Sequence, residues 1–434
     1  MNNFKKYLEK KESQEYIVDY QRMFNKYDKS AEEMLNEDKI KIFNSDVNER
    51  VNLYFNFPWC ERRCLFCNYT NGIKNESMHS AYINNLLDDY KRYKGLFDKS
   101  EVTSIFFGGG TPSILNVNLL NYYLENIMQI TNLTKSYVVT VESNINNLYE
   151  EKLEIISKYA NRISIGVQSF EKNVRLAANM LFEQDEIIKR LRLAREYIKN
   201  MNIDLIYGMV NQSEKKFLND IELCINEKIP SVTLYRLELH KNLAYSKMAL
   251  NGNSILDYEF QCSCMYMKAQ EIFENAGYIE NPSGWFVKKQ CTEEKWNNRV
   301  SDWKSNKSYI GFGNGAYSHL DNYYLSMICD VDTWSQEVKK GNIPIEFIRE
   351  KSNFEKEMKS IIRIMRTEQK IRKVNITEGL FTDLEIEKLE ATINTFLKYN
   401  LVIEEGEEYK LTKIGKGNIN WLISDLILND VRQI

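Results

Sequence analysis

Three cysteines in the run Cys60-Glu-Arg-Arg-Cys64-Leu-Phe-Cys67 follow almost directly on the apolar stretch Val51-Asn-Leu-Tyr-Phe-Asn-Phe57. Their spacing lets all three thiols converge on one metal centre at the end of a strand. Soft thiolates select zinc, copper(I) or iron–sulfur clusters, and a structural zinc site needs a fourth Cys or His close by to close its tetrahedron. The nearest histidine is His79 and the next cysteine is Cys224. A four-iron cube held by three cysteines keeps one iron without a protein ligand, and that iron can take a small molecule through nitrogen and oxygen. The bland alternative is an intracellular chain whose reduced thiols happen to cluster.

Length and charge narrow the setting. A chain of 434 residues can bury a large core and hold two or three units. With 58 Lys plus Arg against 61 Asp plus Glu, bulk charge offers no attraction to polyphosphate, so nucleic acid is not an expected partner. The charged opening Met1-Asn-Asn-Phe-Lys-Lys and the lack of any long uncharged apolar run predict a cytoplasmic protein without a membrane span. The other five cysteines, Cys224, Cys262, Cys264, Cys291 and Cys329, read as simple thiols, because Cys262-Ser-Cys264 is too short for an ordinary metal knuckle.

Along the chain, short β-rich runs at 51–57, 102–107, 137–143, 162–167, 202–207 and 231–237 alternate with amphipathic helical stretches. That alternation predicts an α/β fold with parallel strands, either an open partial barrel of six βα units or a doubly wound sheet. Residues 1–48 read as a helical arm, with Tyr16, Val18, Tyr20, Met23 and Phe24 suggesting one or two short helices. Residues 49–350 read as the body with a substrate-region extension. Residues 351–434, with helices, a hairpin and a last helix, read as a winged-helix-like α+β domain without a basic stripe.

Strand parity locates a polar lumen. Thr140 and Glu142 share one face of their run, Ser164, Gly166 and Gln168 share one face of the next, and Asp204 lies in a third that is otherwise apolar. An unpaired carboxylate at Asp204 would be costly unless it met donors. The second run leads into Gly108-Gly-Gly-Thr-Pro-Ser113, whose glycines permit close backbone approach and leave main-chain groups for a ligand's charged ends. It is neither a Walker loop nor a dinucleotide fingerprint.

Cys60-x3-Cys64-x2-Cys67 with Phe66 resembles the signature of the radical S-adenosylmethionine (SAM) superfamily. Tyr54-x-x-x-Pro58-x-Cys60, the glycine loop, Glu142-Ser-Asn144, Arg162-Ile-Ser-Ile-Gly-Val-Gln-Ser169, Asn202-Ile-Asp-Leu-Ile-Tyr-Gly208 and Gly311-Phe-Gly-x-Gly-Ala316 narrow the likeness. Together they resemble the oxygen-independent coproporphyrinogen III oxidase (HemN/HemW) family from about residue 50 onward. The resemblance implies a partial (β/α)6 radical SAM barrel with a HemN-type C-terminal domain. It also implies a [4Fe–4S] cluster on Cys60, Cys64 and Cys67, and SAM lined by Tyr54, Gly109, Gly110, Thr111, Glu142, Gln168 and Asp204. A second SAM, bound by several members, would border Phe66 and Gly108 to Gly110. The implied activity is reductive SAM cleavage to a 5′-deoxyadenosyl radical, with electrons from a low-potential donor such as flavodoxin or ferredoxin. The implied substrate is a tetrapyrrole or related small molecule.

Two alternatives carry different outcomes: a HemW-like haem-binding chaperone, for which His79, His240 and His319 are the only imidazoles, and a HemN-like C-methyltransferase. Departures from the family pattern bear on the substrate more than on SAM. Asn56 stands where members commonly have His, Asn179-Met-Leu-Phe-Glu183 lacks the usual Arg, Asn298-Arg299 with Asp302-Trp303 replaces a His-Asn and Tyr-Trp pair, and Val210 replaces Pro.

Overall fold

The computed structural model describes residues 2–9, 29–30, 34–68, 75–93, 100–240, 243–291 and 308–431. Tyr16, Val18, Tyr20, Met23 and Phe24, and the Asn298-Arg299 and Asp302-Trp303 pairs, lie outside the described residues. No helix among the described residues is long and apolar enough to cross a membrane.

Six parallel strands form the centre: β2 (Arg50–Phe57), β3 (Glu101–Gly109), β4 (Leu133–Asn144), β5 (Arg162–Gln168), β6 (Met201–Tyr207) and β7 (Ser231–Arg236), after a short β1 (Lys29–Ser30). Helices such as Glu76–Arg92, Val117–Ile130, Glu150–Tyr159, Gln184–Tyr197 and Glu214–Asn226 make the crossovers. On one flank β7 pairs with β9 (Trp285–Lys288) and then β8 (Tyr278–Glu280). On the other, β2 pairs in parallel with β10 (Ser308–Phe312), followed by antiparallel β11 (Tyr317–His319), β12 (Tyr323–Met327) and β13 (Ile345–Glu350), with β1 at the edge. The sheet is open, in the order β1-β13-β12-β11-β10-β2-β3-β4-β5-β6-β7-β9-β8.

Alternation assigns the two faces. In β2, Val51, Leu53, Phe55 and Phe57 are buried under the helices, and Phe55 stacks between Phe107 and Phe312 at ring-centroid distances of 5.4 and 5.2 Å. The intervening residues Asn52, Tyr54 and Asn56 belong to the concave face. The register carries that face across the sheet, since Phe106 pairs with Thr140, Glu142 with Ser164, Gly166 with Asp204, and Asp204 with Thr233.

The C-terminal unit has its own core, built on helices Asn353–Glu368 and Asp383–Lys398, each started by a capping box (Ser352 with Glu355, Thr382 with Glu385). A small sheet of β14 (Lys370–Arg372), β15 (Val402–Glu405) and β16 (Glu408–Leu411) forms the wing. Phe4, Tyr7 and Leu8 of helix Asn2–Glu9 pack into this core, and the Tyr7 hydroxyl donates to Asp425. Helix Ile255–Asn275 joins it to the body: Glu259 pairs with Arg236 and accepts from Trp421 Nε1 at 3.1 Å.

Beneath the sheet, Asp89 of helix Glu76–Arg92 is 0 % exposed, and neither carboxyl oxygen has a hydrogen-bond partner among the described residues. Burial pushes its pKa from 3.8 up to about 7, against the pull of Arg92. The folded chain therefore keeps a proton that the unfolded chain loses on passing 3.8, and stability falls as pH rises from there to about 7. Asp89→Asn removes the titration. Its urea midpoint should gain on the wild type between pH 5 and pH 8, and a constant difference across that range would contradict the assignment.

Candidate functional site

The cysteine loop leaves the carboxyl end of β2 and lies on the glycine loop that leaves β3. Gly110 N–H donates to the Phe57 carbonyl at 2.6 Å, and Thr111 N–H to that of Trp59 at 2.9 Å. This approach requires glycine. A Cβ at Gly110 would stand 2.3 Å from the Trp59 carbonyl oxygen, and one at Gly109, where φ is +105°, would stand 2.0 Å from Asn56 Oδ1. The third N–H, of Gly109, donates to Glu142 Oε2 at 3.2 Å. These amides are thus spent inside the protein, which differs from the expectation that the loop keeps its main-chain donors for a ligand. The reason is that the loop's first task is to hold its neighbours.

Cys60, Cys64 and Cys67 are free thiols, all half-buried, and Cys60 Sγ lies 3.3 Å from Thr111 Oγ1. Burial, with the neighbouring sulfurs, pushes Cys60 up to about 11 and Cys64 up to about 12; the Thr111 hydrogen bond opposes the shift at Cys60, and Arg175 and Arg62 oppose it at Cys64. Without a metal these are protonated thiols, and a bound cation would have to displace the protons. No group of His, Cys, Asp or Glu among the described residues is arranged around a single metal ion. The donor set fits an iron–sulfur cube better, because a cube takes each thiolate at a separate iron.

A second loop, after β5, clasps the cysteines from the other side. Leu65 N–H donates to the Ala178 carbonyl at 3.1 Å, Asn179 Nδ2 to that of Arg63 at 3.0 Å, and Arg62 Nη1 to Asn179 Oδ1 at 3.3 Å. Buried Arg175, in helix Lys172–Ala177, organises the clasp. Its guanidinium donates to the carbonyls of Val167 at 2.6 Å, Ser169 at 3.0 Å, Leu181 at 2.5 Å and Phe182 at 3.1 Å. Arg175 lies four residues before the 179–183 segment, on a helix that folds back, so spacing along the chain does not point to it.

The remaining candidates line the concave face. Tyr54 stacks on Phe106 at 5.9 Å, and burial, then the Glu142 charge, drives its phenol well above the ordinary range. Glu142 lies over the glycines, with Oε2 only 2.8 Å from a Cβ built on Gly108. Asp204 finds the donors its burial demands, Asn202 Nδ2 at 2.9 Å and Ser164 Oγ at 3.3 Å. Asn202 in turn accepts from Ser231 at 2.7 Å, Thr233 at 3.1 Å and Trp285 Nε1 at 3.0 Å. Gln168 breaks the simple parity. A register shift separates it from Gly166, so it pairs with Leu205; its φ is +68°, and its Nε2 turns back to 2.8 Å from a Cβ built on Gly166. Phe66 meets Tyr245 edge-on at 6.1 Å and packs near Val174 and Met209.

Asn56 fastens the rim: its Nδ2 donates to the Asn314 carbonyl at 2.8 Å, and Tyr82 donates to the carbonyl of Asn56 at 2.8 Å and to Asn314 Oδ1 at 3.0 Å. Of the histidines, His79 stacks on Trp59, His240 stands 3.4 Å from Glu238, and His319 lies out on β11.

The radical SAM superfamily profile matches residues 56–224, which run from Asn56 through the three cysteines and β3–β6 to Cys224. Coproporphyrinogen III oxidase (HemN) from Escherichia coli superimposes with a TM-score of 0.79 over 90 % of this chain and 93 % of its own, at 16 % identity. Residues 56–224 match the radical SAM superfamily, and the chain as a whole is similar to the HemN/HemW-like group of that superfamily. The heme chaperone HemW of Buchnera aphidicola subsp. Acyrthosiphon pisum is 23 % identical over 86 % of this chain and 97 % of its own length. Anaerobilin synthase of Escherichia coli O157:H7 is 24 % identical over 73 % of this chain and 72 % of its own. The cofactors of a radical SAM protein are a [4Fe–4S] cluster and SAM, and the open α/β sheet with a parallel core is the HemN fold.

Cys64→Ala, removing the middle thiol, should lose the brown chromophore after anaerobic reconstitution with iron and sulfide, and lose SAM cleavage with it. Retention of both would exclude Cys64 as a ligand.

Proposed function

We propose that this chain is an enzyme that cleaves SAM reductively and acts in the cytoplasm on a tetrapyrrole or a related small molecule. The observation that carries this reading is the trio of half-buried thiols beside a polar lumen that holds Glu142 and Asp204. In this reading Cys60, Cys64 and Cys67 ligate the cluster. Tyr54, Gly108, Gly109, Gly110, Thr111, Glu142, Gln168 and Asp204 bound the SAM space, with Phe66 at the border where a second SAM would lie. The reduced cluster and SAM supply a 5′-deoxyadenosyl radical, using electrons from a low-potential donor such as flavodoxin or ferredoxin.

The protein's own contribution is placement and exclusion of water. Glu142, fixed by the Gly109 amide, retains acceptor capacity for hydroxyl groups of a ribose. Asp204, held by Asn202 and Ser164, offers negative charge deep in the lumen, where the positive charge of SAM would meet it. Tyr54 and Phe106 give the adjoining wall flat apolar surface, and the Arg175 clasp keeps the cysteine loop from opening toward solvent.

A second reading is favoured by a specific observation: the likeness to a heme chaperone covers 97 % of that relative's length. Haem handed to another protein, without turnover, is the outcome it implies. Methyl transfer is the third. An anaerobic assay separates them: the reduced, reconstituted protein is given SAM with coproporphyrinogen, with haem, or with neither, and 5′-deoxyadenosine and product masses are read. Tetrapyrrole-dependent 5′-deoxyadenosine is the expected result. Product mass then distinguishes loss of carboxyl groups from gain of methyl groups. Stable haem binding with no stimulated SAM cleavage would overturn the enzyme reading in favour of the chaperone.

A further inference from the structure

The clasp on the cysteine loop carries apolar side chains on its outer surface. Leu65, between the second and third thiols, is 48 % exposed, Leu176 on helix Lys172–Ala177 is 55 % exposed, and Leu181 in the loop after it is 45 % exposed. Backbone bonds bring the three to one place. Leu65 N–H donates to the Ala178 carbonyl at 3.1 Å, Asn179 N–H to that of Leu176 at 3.1 Å, and Met180 N–H to that of Arg175 at 2.9 Å. Residues 175–181 therefore form a tight turn with Leu65 bonded to its middle. Among the described residues six leucines are at least 45 % exposed, and three of them stand on these two stitched loops.

Inward from the leucines the apolar character continues. Cys64 and Phe66 pack against a buried cluster that includes Val174, Ala178, Met180 and Met209. Cys64 is also the chain neighbour of exposed Leu65, so the loop brings a thiol and the protein boundary within one residue of each other. The glycine loop and Glu142 occupy the opposite side of the thiols. Electron tunnelling falls off steeply with distance, so a redox group held by Cys64 is most readily reached from the leucine side.

The rim of this face is basic. Arg62 and Arg63 are exposed on the cysteine loop, and the partner of Arg62 is the neutral Asn179 Oδ1 at 3.3 Å. The guanidinium of Arg63 forms no hydrogen bond or ion pair with any described residue. The neighbouring acids are engaged elsewhere: Glu61 accepts from Asn146 Nδ2 at 3.0 Å, Glu183 from Lys172 at 2.6 Å and Glu186 from Arg190 at 2.7 Å, while Asp185 lies in the first turn of helix Gln184–Tyr197. An apolar centre with a charged rim suits the small, transient contacts through which redox proteins meet, where charge sets the rate of encounter.

We propose that the face formed by Leu65, Leu176, Leu181, Arg62 and Arg63 is where a small acidic, low-potential electron carrier docks to reduce the cluster. The inference rests on the reductive SAM-cleavage reading above and names the surface through which its electron enters. One electron leaves the anionic hydroquinone of a flavodoxin-type donor, which becomes the neutral semiquinone, and the charge of the oxidised cluster falls by one. No proton moves, and no bond is made or broken. The leucines supply a dry contact area, and the two arginines, on the same loop as the cysteines, orient the acidic surface of the donor by charge.

The test uses the full-length reconstituted protein and a recombinant bacterial flavodoxin. Affinity is measured by calorimetry, and cluster reduction is followed by stopped flow with either photoreduced flavodoxin or dithionite. Wild-type affinity should fall as salt rises. Leu176→Glu should weaken flavodoxin binding and slow flavodoxin-driven reduction at least about tenfold, while dithionite reduces its cluster as in the wild type. Arg63→Glu should weaken binding and flatten the salt dependence, and Arg63→Lys should keep both. No flavodoxin binding by the wild type, or unchanged affinity in both Leu176→Glu and Arg63→Glu, overturns the docking face and leaves reductive cleavage standing. A wild-type dimer that Leu176→Glu breaks without altering flavodoxin affinity also overturns it and assigns the face to a second copy of the chain. If Leu176→Glu slows dithionite as well, the Arg63 pair decides: affinity lost in Arg63→Glu and kept in Arg63→Lys upholds the face, and equal affinity overturns it. A wild type that yields no 5′-deoxyadenosine from dithionite and SAM, with coproporphyrinogen or with haem, overturns the cleavage reading and the inference together.

Discussion

The site depends on how closely two backbone loops approach one another. The bond from Gly110 to Phe57 and that from Thr111 to Trp59 place the glycine loop against the segment that carries Cys60, at a separation no Cβ would permit. Two neighbouring parallel strands thus bring the cysteine segment from one and a carboxylate-bound glycine turn from the other against each other. The contact is between main chains, so it positions the thiols without consuming any side chain that the chemistry needs. Arg175 supplies the matching restraint opposite, satisfying carbonyls at the exit of β5 that would otherwise be left without donors.

Polar groups inside a sheet-lined cavity are costly unless each finds a partner, and the lumen meets that condition in layers. Asp204, Asn202, Ser164, Ser231, Thr233 and Trp285 form one connected set well inside the cavity. Above it, Glu142 and the glycines face the cysteine loop. The same face then passes over β10 to β12 as aromatic surface. One continuous wall accordingly changes character from polar to aromatic.

Much of this was legible in the chain because period-two patterning is strict wherever one strand face meets helices and the other meets a lumen. Thr140 and Glu142 follow from that rule, Tyr54 followed from the family likeness, and Asp204 stood out as a carboxylate in an otherwise apolar run. Gln168 escaped the rule, since a bulge and a left-handed backbone re-aim one residue without altering local composition. Arg175 escaped because helix Lys172–Ala177 reverses the chain, which no short-range pattern announces. The strands β10 to β13 were the least legible. They are short, and β10, which pairs in parallel with β2 from some 250 residues away, ties the antiparallel β11 to β13 to the body, so the partner cannot be read from their own composition. Helix Asn2–Glu9 likewise joins the C-terminal core through Tyr7 and Asp425, a contact between opposite ends of the chain.

The central claim is that three thiols hold a cube with one iron left to a small molecule. Mössbauer spectroscopy on protein reconstituted anaerobically with iron-57 tests it directly, recorded before and after adding SAM. The account predicts a cubane spectrum in which a single iron site changes its isomer shift and quadrupole splitting when SAM binds, while the others stay as they were. A cube whose irons are all indifferent to SAM, or a protein that takes up zinc and assembles no cube, would contradict it.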